Sequence, residues 1–257
     1  MLKTIVTVVA VSVLSLISAC GDGSGTTVTT TTTTPVVQQT AEGIWNGTAT
    51  PGGAVKMLVQ ADGKFYKFYG TTAPIGFATG TSLVDANNAF SYVTNDNGEN
   101  ISGKANIWLS ASASTFVANT TLNYTVSGGM LNTSPRVIAL TYDSSYTSPF
   151  TLANLVGNYS GATVGQGSTF SIDANGNITG NAARYIEGGY ETTGTCPITG
   201  TITPNASKRF ATVSITGCST DSVDGVGVAL LVGSGVGQQI YIGSTTGKLK
   251  TLYGVKQ

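Results

Sequence analysis

The chain has 257 residues, enough for one large domain or two small ones, and 40% of them are hydrophobic, so a packed core is attainable. Charged residues make up only 9%, with 12 Lys plus Arg balanced by 12 Asp plus Glu; this is not the composition of a disordered chain, and no basic stripe is present to meet a phosphate backbone, so no nucleic-acid partner is expected. There is no histidine, which removes Ser-His-Asp triads, HExxH metal sites and imidazole general bases together.

Met1-Leu2-Lys3 supplies a short positive start, and Ile5 to Ile17 is largely apolar, too short to span a bilayer comfortably but suited to a signal-peptide core. The stretch ends in Ile17-Ser18-Ala19-Cys20. These four residues resemble a bacterial lipobox. The resemblance implies cleavage before Cys20, with 1–19 as the leader, and a diacylglycerol on the Cys20 sulfur. Several acyl chains, at about 0.8 kcal/mol per buried CH₂, hold a protein firmly on a bilayer. Gly21 stands where enteric-type lipoproteins often carry an inner-membrane Asp, so the implied address is the cell envelope, at the outer membrane, facing the periplasm or the surface.

Residues 20–41 read as a disordered linker. Gly21-Asp22-Gly23-Ser24-Gly25 and the Thr29 to Thr34 run before Pro35 offer too little apolar surface to offset the entropy of ordering.

The remainder carries an internal repeat. Gly43-Ile44-Trp45-Asn46-Gly47 matches Gly157-Asn158-Tyr159-Ser160-Gly161 as Gly-x-aromatic-x-Gly. Each is followed by an apolar stretch and a turn, Met57 to Gly63 in one and Phe170 to Gly176 in the other, and later by Ile101-Ser102-Gly103 or Ile198-Thr199-Gly200. The domains are therefore placed at 42–147 and 148–257. Ser148-Pro149-Phe150 marks the boundary as the capped start of a short helical turn leading through Leu152 and Leu155.

Strands are expected at 64–69, 88–93, 105–110, 115–126 and 136–142, then at 157–164, 168–173, 198–203, 210–216, 226–232, 238–243 and 248–255. Ala211, Val213 and Ile215 alternate with Thr212, Ser214 and Thr216, the pattern of a strand with one wet face. Short strands between Gly, Asn and Asp turns point to an all-β chain of two tandem antiparallel barrels or sandwiches. Tether, repeat and strand content together resemble the two-lobed β-barrel surface lipoproteins of the transferrin-binding protein B and factor H-binding protein type. Lipocalins likewise begin with Gly-x-Trp at the barrel floor. Both resemblances imply a protein or a small apolar ligand as partner, besides the membrane reached through Cys20.

Cys196 and Cys218 are the only cysteines left after lipidation, and in an oxidising compartment a disulfide is the expectation. They bracket a hairpin over 198–216. Matching Ile198 to Ile215 and Ile202 to Ala211 conflicts with Cys196 opposite Cys218 by one position, so a bulge is expected at Gly217. Closing about 23 residues is worth roughly 3 kcal/mol in the chain-entropy model.

Phe65-Tyr66-Lys67-Phe68-Tyr69 is the leading candidate partner surface. On a strand Phe65 and Tyr69 face one way and Tyr66 and Phe68 the other; a core claims one face, leaving an aromatic pair for an interface. Trp45 and Trp108 are expected in cores. Asp173-Ala174-Asn175-Gly176-Asn177 is a hairpin turn rather than a calcium loop, as is Asn95-Asp96-Asn97-Gly98. Gly243 to Lys248 imitates a phosphate loop but joins two strands. Glu187 and Glu191 would stand about 13 Å apart on a strand, too far for glycosidase chemistry, and Asp221 and Asp224 fall in a loop. No catalytic residue, metal site or cofactor is expected. The reading is a non-catalytic binding or adhesion module on the envelope, with a structural envelope-maintenance lipoprotein as its alternative.

Overall fold

Alternation of apolar and Ser/Thr/Asn residues every second position dictates strands whose two faces differ, and a sheet with one apolar face hides it by curling closed. The computed structural model describes residues 39–70, 76–96, 107–127, 136–163, 166–186, 189–217, 225–244 and 251–257. It contains two closed eight-stranded antiparallel barrels in up-and-down order. The first comprises β1 (Gly43–Thr50), β2 (Gly53–Val59), β3 (Lys64–Gly70), β4 (Gly76–Val84), β5 (Phe90–Asp96), β6 (Ile107–Val117), β7 (Thr121–Ser127) and β8 (Arg136–Tyr142). The second comprises β9 (Gly157–Thr163), β10 (Gln166–Ile172), β11 (Asn177–Ile186), β12 (Gly189–Pro204), β13 (Phe210–Gly217), β14 (Gly225–Val232), β15 (Gln239–Ser244) and β16 (Thr251–Lys256). Closure runs through β1 against β8, with Trp45 opposite Tyr142, and through β9 against β16, with Tyr159 opposite Lys256. A 3₁₀ turn (Ser144–Thr147) and a one-turn helix α1 (Leu152–Leu155) connect them. The chain is all-β with two tandem barrels, as its alternation predicts.

Each member of the repeated Gly-x-aromatic-x-Gly motif has a physical reason. Gly43 and Gly157 share φ of 152°, which side chains rarely adopt, and an added Cβ would press on Tyr142 or on the Lys256 stem. A Cβ on Gly47 would run into the Ala139 carbonyl, and one on Gly161 into the Tyr253 carbonyl, where the closing strand crosses. The aromatics close the barrel floors: Trp45 Nε1 donates to the Ala41 carbonyl at 2.8 Å, and the Tyr159 hydroxyl to the Leu155 carbonyl at 2.6 Å. Burial pushes the Tyr159 phenol up to about 12, so it remains a donor. The first turn repeats too. The Gly63 carbonyl accepts from the Ser82 amide and that of Gly176 from the Ile202 amide, both at 2.8 Å.

Several details correct the sequence expectations. Residues 39–41 are built into the first barrel rather than lying in the linker: Gln39 bridges to Val84, and Ala41 is buried as the acceptor for Trp45. Strands β4 and β11 carry glycines that break the apolar rhythm, which is why pattern alone passes over them. The stretch 115–126 is two strands around a turn at 118–120, where Asn119 takes φ of 54°. The helical turn begins after Thr151, whose side chain and amide pair with Asn154 Oδ1, rather than at Ser148. No bulge occurs at Gly217: it pairs in step with Ile198, Gly200 pairs with Ile215, and Ile202 with Val213. The register sets Ile against Gly because a narrow barrel cannot hold two branched side chains opposite each other at every inward position.

On the β12–β13 hairpin the outward face is polar. Thr199, Thr201, Thr203, Thr212, Ser214 and Thr216 are all exposed, while Ile198, Ile202, Val213 and Ile215 point inward and are buried. A membrane-spanning barrel needs the reverse, an apolar band outside. Among the described residues no helix is long and apolar enough to cross a membrane.

Candidate functional site at the mouth of the first barrel

The connections 60–63 and 118–120 of the first barrel lie at the end that holds Trp45, and 173–176 and 205–209 of the second at the end that holds Tyr159, while the two-residue turn 51–52 lies at the opposite end of the first. The opposite end of the first barrel receives the connections 71–75, 97–106 and 128–135, which lie outside the described residues. A recess of about 20 Å³ opens there, lined by Ala49, Val55, Lys67, Tyr69, Val126, Arg136 and Ile138.

Lys67 is its distinctive member. It sits on β3 between Phe65 and Tyr69, on the inward face, and is only 4% exposed. Its Nζ lies 5.3 Å from the Tyr69 ring centre and 5.5 Å from that of Tyr92, and donates to the Tyr92 hydroxyl at 3.5 Å, the outer limit of a hydrogen bond. Among the described residues no carboxylate pairs with it; the ion pairs there join Lys64 to Asp62 and Lys208 to Glu42. Withdrawing an ammonium from water costs several kcal/mol. Two ring faces return about 0.5–2 kcal/mol each and a long hydrogen bond to a neutral hydroxyl adds little. The barrel thus holds a cation whose desolvation its described neighbours offset only in part.

Among the described residues the second barrel has no buried Lys or Arg. It has a shallow groove over β9–β11, lined by Asn158, Ser160, Thr169, Ser171, Thr179 and Asn181 among others. Several of its polar groups are already paired across strands, Ser171 with Thr179 at 3.0 Å and Gln257 with Ser160 at 2.7 Å.

The expected aromatic partner surface is corrected by burial. Phe65 and Tyr69 face into the first barrel, and Phe65 is fully buried. Tyr66 and Phe68 do face outward, as alternation requires, but the second barrel of the same chain covers them. With Ile44, Leu58 and Phe77 they pack against Phe210, Val228, Leu230 and Tyr241, leaving Tyr66 8% and Phe68 1% exposed. The rings of Phe68 and Tyr241 lie 5.9 Å apart, edge to face. A polar cluster completes the junction. Tyr146 donates its hydroxyl to Glu42 at 2.8 Å, Lys208 pairs with the same carboxylate at 3.0 Å and lies over the Tyr146 ring, and the Arg209 amide donates to the Tyr146 carbonyl. Burial opposes ionisation of Glu42, but the hydrogen bonds from Lys208 and Tyr146 outweigh it and hold its carboxyl below the usual range.

Trp45 is buried, as expected; the Trp108 side chain lies outside the described residues. Asp173 caps its turn by accepting from the Asn175 and Asn177 amides, both at 2.8 Å, which is the turn reading. Gly243 and Ser244 end β15 and the connection leads to β16, two strands as expected. Cys196 is buried on β12 with its sulfur 3.6 Å from the Ala182 carbonyl oxygen, and Cys218 lies outside the described residues. So do Cys20, Glu187, Asp221 and Asp224, and the side chain of Glu191. Sequence reasoning missed Lys67. The available signal was its place in alternation: a Lys sharing a face with Phe65 and Tyr69 must be inside if they are.

No protein-family model matches the chain, and searches of curated proteins and of solved structures return no match.

Proposed function

We propose that this chain is an exported, lipid-anchored, non-catalytic binding protein of the cell envelope, attached through Cys20 at the outer membrane, with the loop-bearing mouth of its first barrel as the binding end. The observation that carries the reading is the recess over Lys67, a buried cation beside a core cluster of apolar side chains. Such a group is costly as packing and useful as recognition. The polar outer face of the β12–β13 hairpin supports a body standing in water, and the Ile17 to Cys20 sequence supports the tether. Metabolic labelling with a tagged fatty acid, followed by mass spectrometry of the N-terminal peptide, tests the anchor. Label on the chain is expected, together with loss of label and release from membranes in Cys20→Ser; an unmodified Cys20 in the mature chain overturns the reading.

A disulfide between Cys196 and Cys218 belongs to the same proposal, since export places both in an oxidising compartment. Alkylation before and after reduction should add two tags only to the reduced chain.

A further inference from the structure

The two barrels meet the same packing problem at one equivalent place and solve it differently. In each, the hairpin after the first strand turns through matching hydrogen bonds: Gln60 N–H to Lys64 and Gly63 N–H to Gln60 in the first, Asp173 N–H to Asn177 and Gly176 N–H to Asp173 in the second. Three positions beyond each turn on either side, Met57 pairs with Lys67, and Phe170 pairs with Gly180. In the second barrel Phe170 takes the space, stacked on Tyr159 with 5.1 Å between ring centres and 8° between planes, and a Cβ on Gly180 would press against Phe170 itself. The neighbours change in the same way: Phe65 and Tyr69 flank Lys67, whereas Ile178 and Ala182 flank Gly180. The second barrel therefore fills this equivalent position without a cation, and the fold does not require one there.

The surroundings define what Lys67 serves. The recess holds one small group. Its walls are Ala49, Val55, Val126 and Ile138, which suit an alkyl chain, and Tyr69 and Arg136 complete the lining. One enclosed ammonium among apolar walls, with the Arg136 guanidinium also on the lining, matches a compact anionic head with an aliphatic body; the alkyl walls favour a carboxylic acid over inorganic phosphate, which has no apolar part to set against them.

We propose that the recess at the mouth of the first barrel binds the carboxylate of a small aliphatic acid through Lys67, with the alkyl part against Val55, Val126 and Ile138. This deepens the binding-module reading and rests on it for its biological setting, but not for its chemistry.

The test uses the full purified chain and saturation-transfer NMR with acetate, propionate and butyrate at fixed pH and ionic strength, and phosphate as a competitor, beside Lys67→Met. Saturable binding is expected, with phosphate failing to displace the acid and affinity falling about tenfold or more in Lys67→Met, the scale of one lost charge-assisted hydrogen bond. Lys67→Met should also melt higher than the parent in the absence of acid, because the buried cation is gone while its volume remains. Absence of carboxylate binding by the parent, equal binding by Lys67→Met, displacement by phosphate, or a lower melting temperature for the acid-free variant each overturns the proposal. Conservative Lys67→Arg checks folding and should retain part of the affinity. A chain that carries lipid on Cys20 yet ignores carboxylates overturns this inference and leaves the anchor standing; one that binds them without lipid does the reverse.

Discussion

The first barrel is lined by Trp45, Phe65, Phe90, Tyr92, Phe116 and Tyr124, with Lys67 among them; the second is lined mainly by Ile172, Ile178, Ile198, Ile202, Val213, Ile215, Ile240 and Ile242, with Tyr159 and Phe170 as its stacked pair. Branched aliphatic side chains have few rotamers and fill a narrow tube when glycines stand opposite, as Gly200 and Gly217 do for Ile215 and Ile198. Rings leave wedge-shaped gaps and offer faces and hydroxyls, so the first barrel can hold a cation and a recess that the second fills. The difference shows that barrel closure depends on the repeated glycines and floor aromatics, while the contents of the tube are free to diverge toward a site.

Breaking a floor should have the largest effect. Trp45→Ala removes a fully buried ring and its bond to Ala41 and should cost about 3–5 kcal/mol. Chemical denaturation should show that loss, and Tyr92 and Phe116 amides should exchange faster than those of β13. Next comes the junction. Phe68→Ala leaves a void against Tyr241 and Phe77 and should cost about 3 kcal/mol; calorimetry should then resolve two transitions where the parent shows one. A transplant sharpens the comparison further. Met57→Phe with Lys67→Gly gives the first barrel the pair used by the second, Phe170 and Gly180, and should change stability by less than about 1.5 kcal/mol in urea denaturation, while carboxylate binding disappears.

Tyr159→Phe keeps the ring and loses one bond to the Leu155 carbonyl, costing about 1 kcal/mol by thermal melting. The smallest effect concerns pH. The carboxyl of Glu42 is held below its ordinary value, so the stability it lends is complete above the usual carboxylate range and is lost as pH falls through the folded value. Glu42→Gln should flatten that acid limb in melting experiments, with a loss near neutral pH of no more than about 1 kcal/mol, since the pair with Lys208 is partly solvated.

Much of the fold is legible in the sequence. Alternation from Ala211 to Thr216 marks a strand, the Asn-Gly turn at Asn175 and Gly176 marks a hairpin, and the repeated Gly-x-aromatic-x-Gly marks two copies of one unit. Strands β4 and β11 are harder to read because glycines interrupt their alternation; in β11 the glycine, Gly180, is placed by the close approach of the β10 backbone at Thr169 and Phe170. The register of β12 against β13 escapes pattern matching for a related reason. Pairing large with large is a sound rule on an open sheet, but curvature reverses it inside a tube, where Ile198 needs Gly217 opposite. The candidate site was half visible. The aromatic run from Phe65 to Tyr69 marks the right strand, but residue type alone singles out its rings rather than the Lys67 between them.

The amino-acid order by itself determined the strand-rich character, the twofold repeat, the wet and dry faces and the absence of imidazole chemistry, because these follow from residue type and local spacing. Only the tertiary structure decided that Tyr66 and Phe68 are spent on the neighbouring barrel and that Lys67 is enclosed within the first. Burial is a property of what closes around a side chain, and that depends on strands brought together from opposite ends of the repeat.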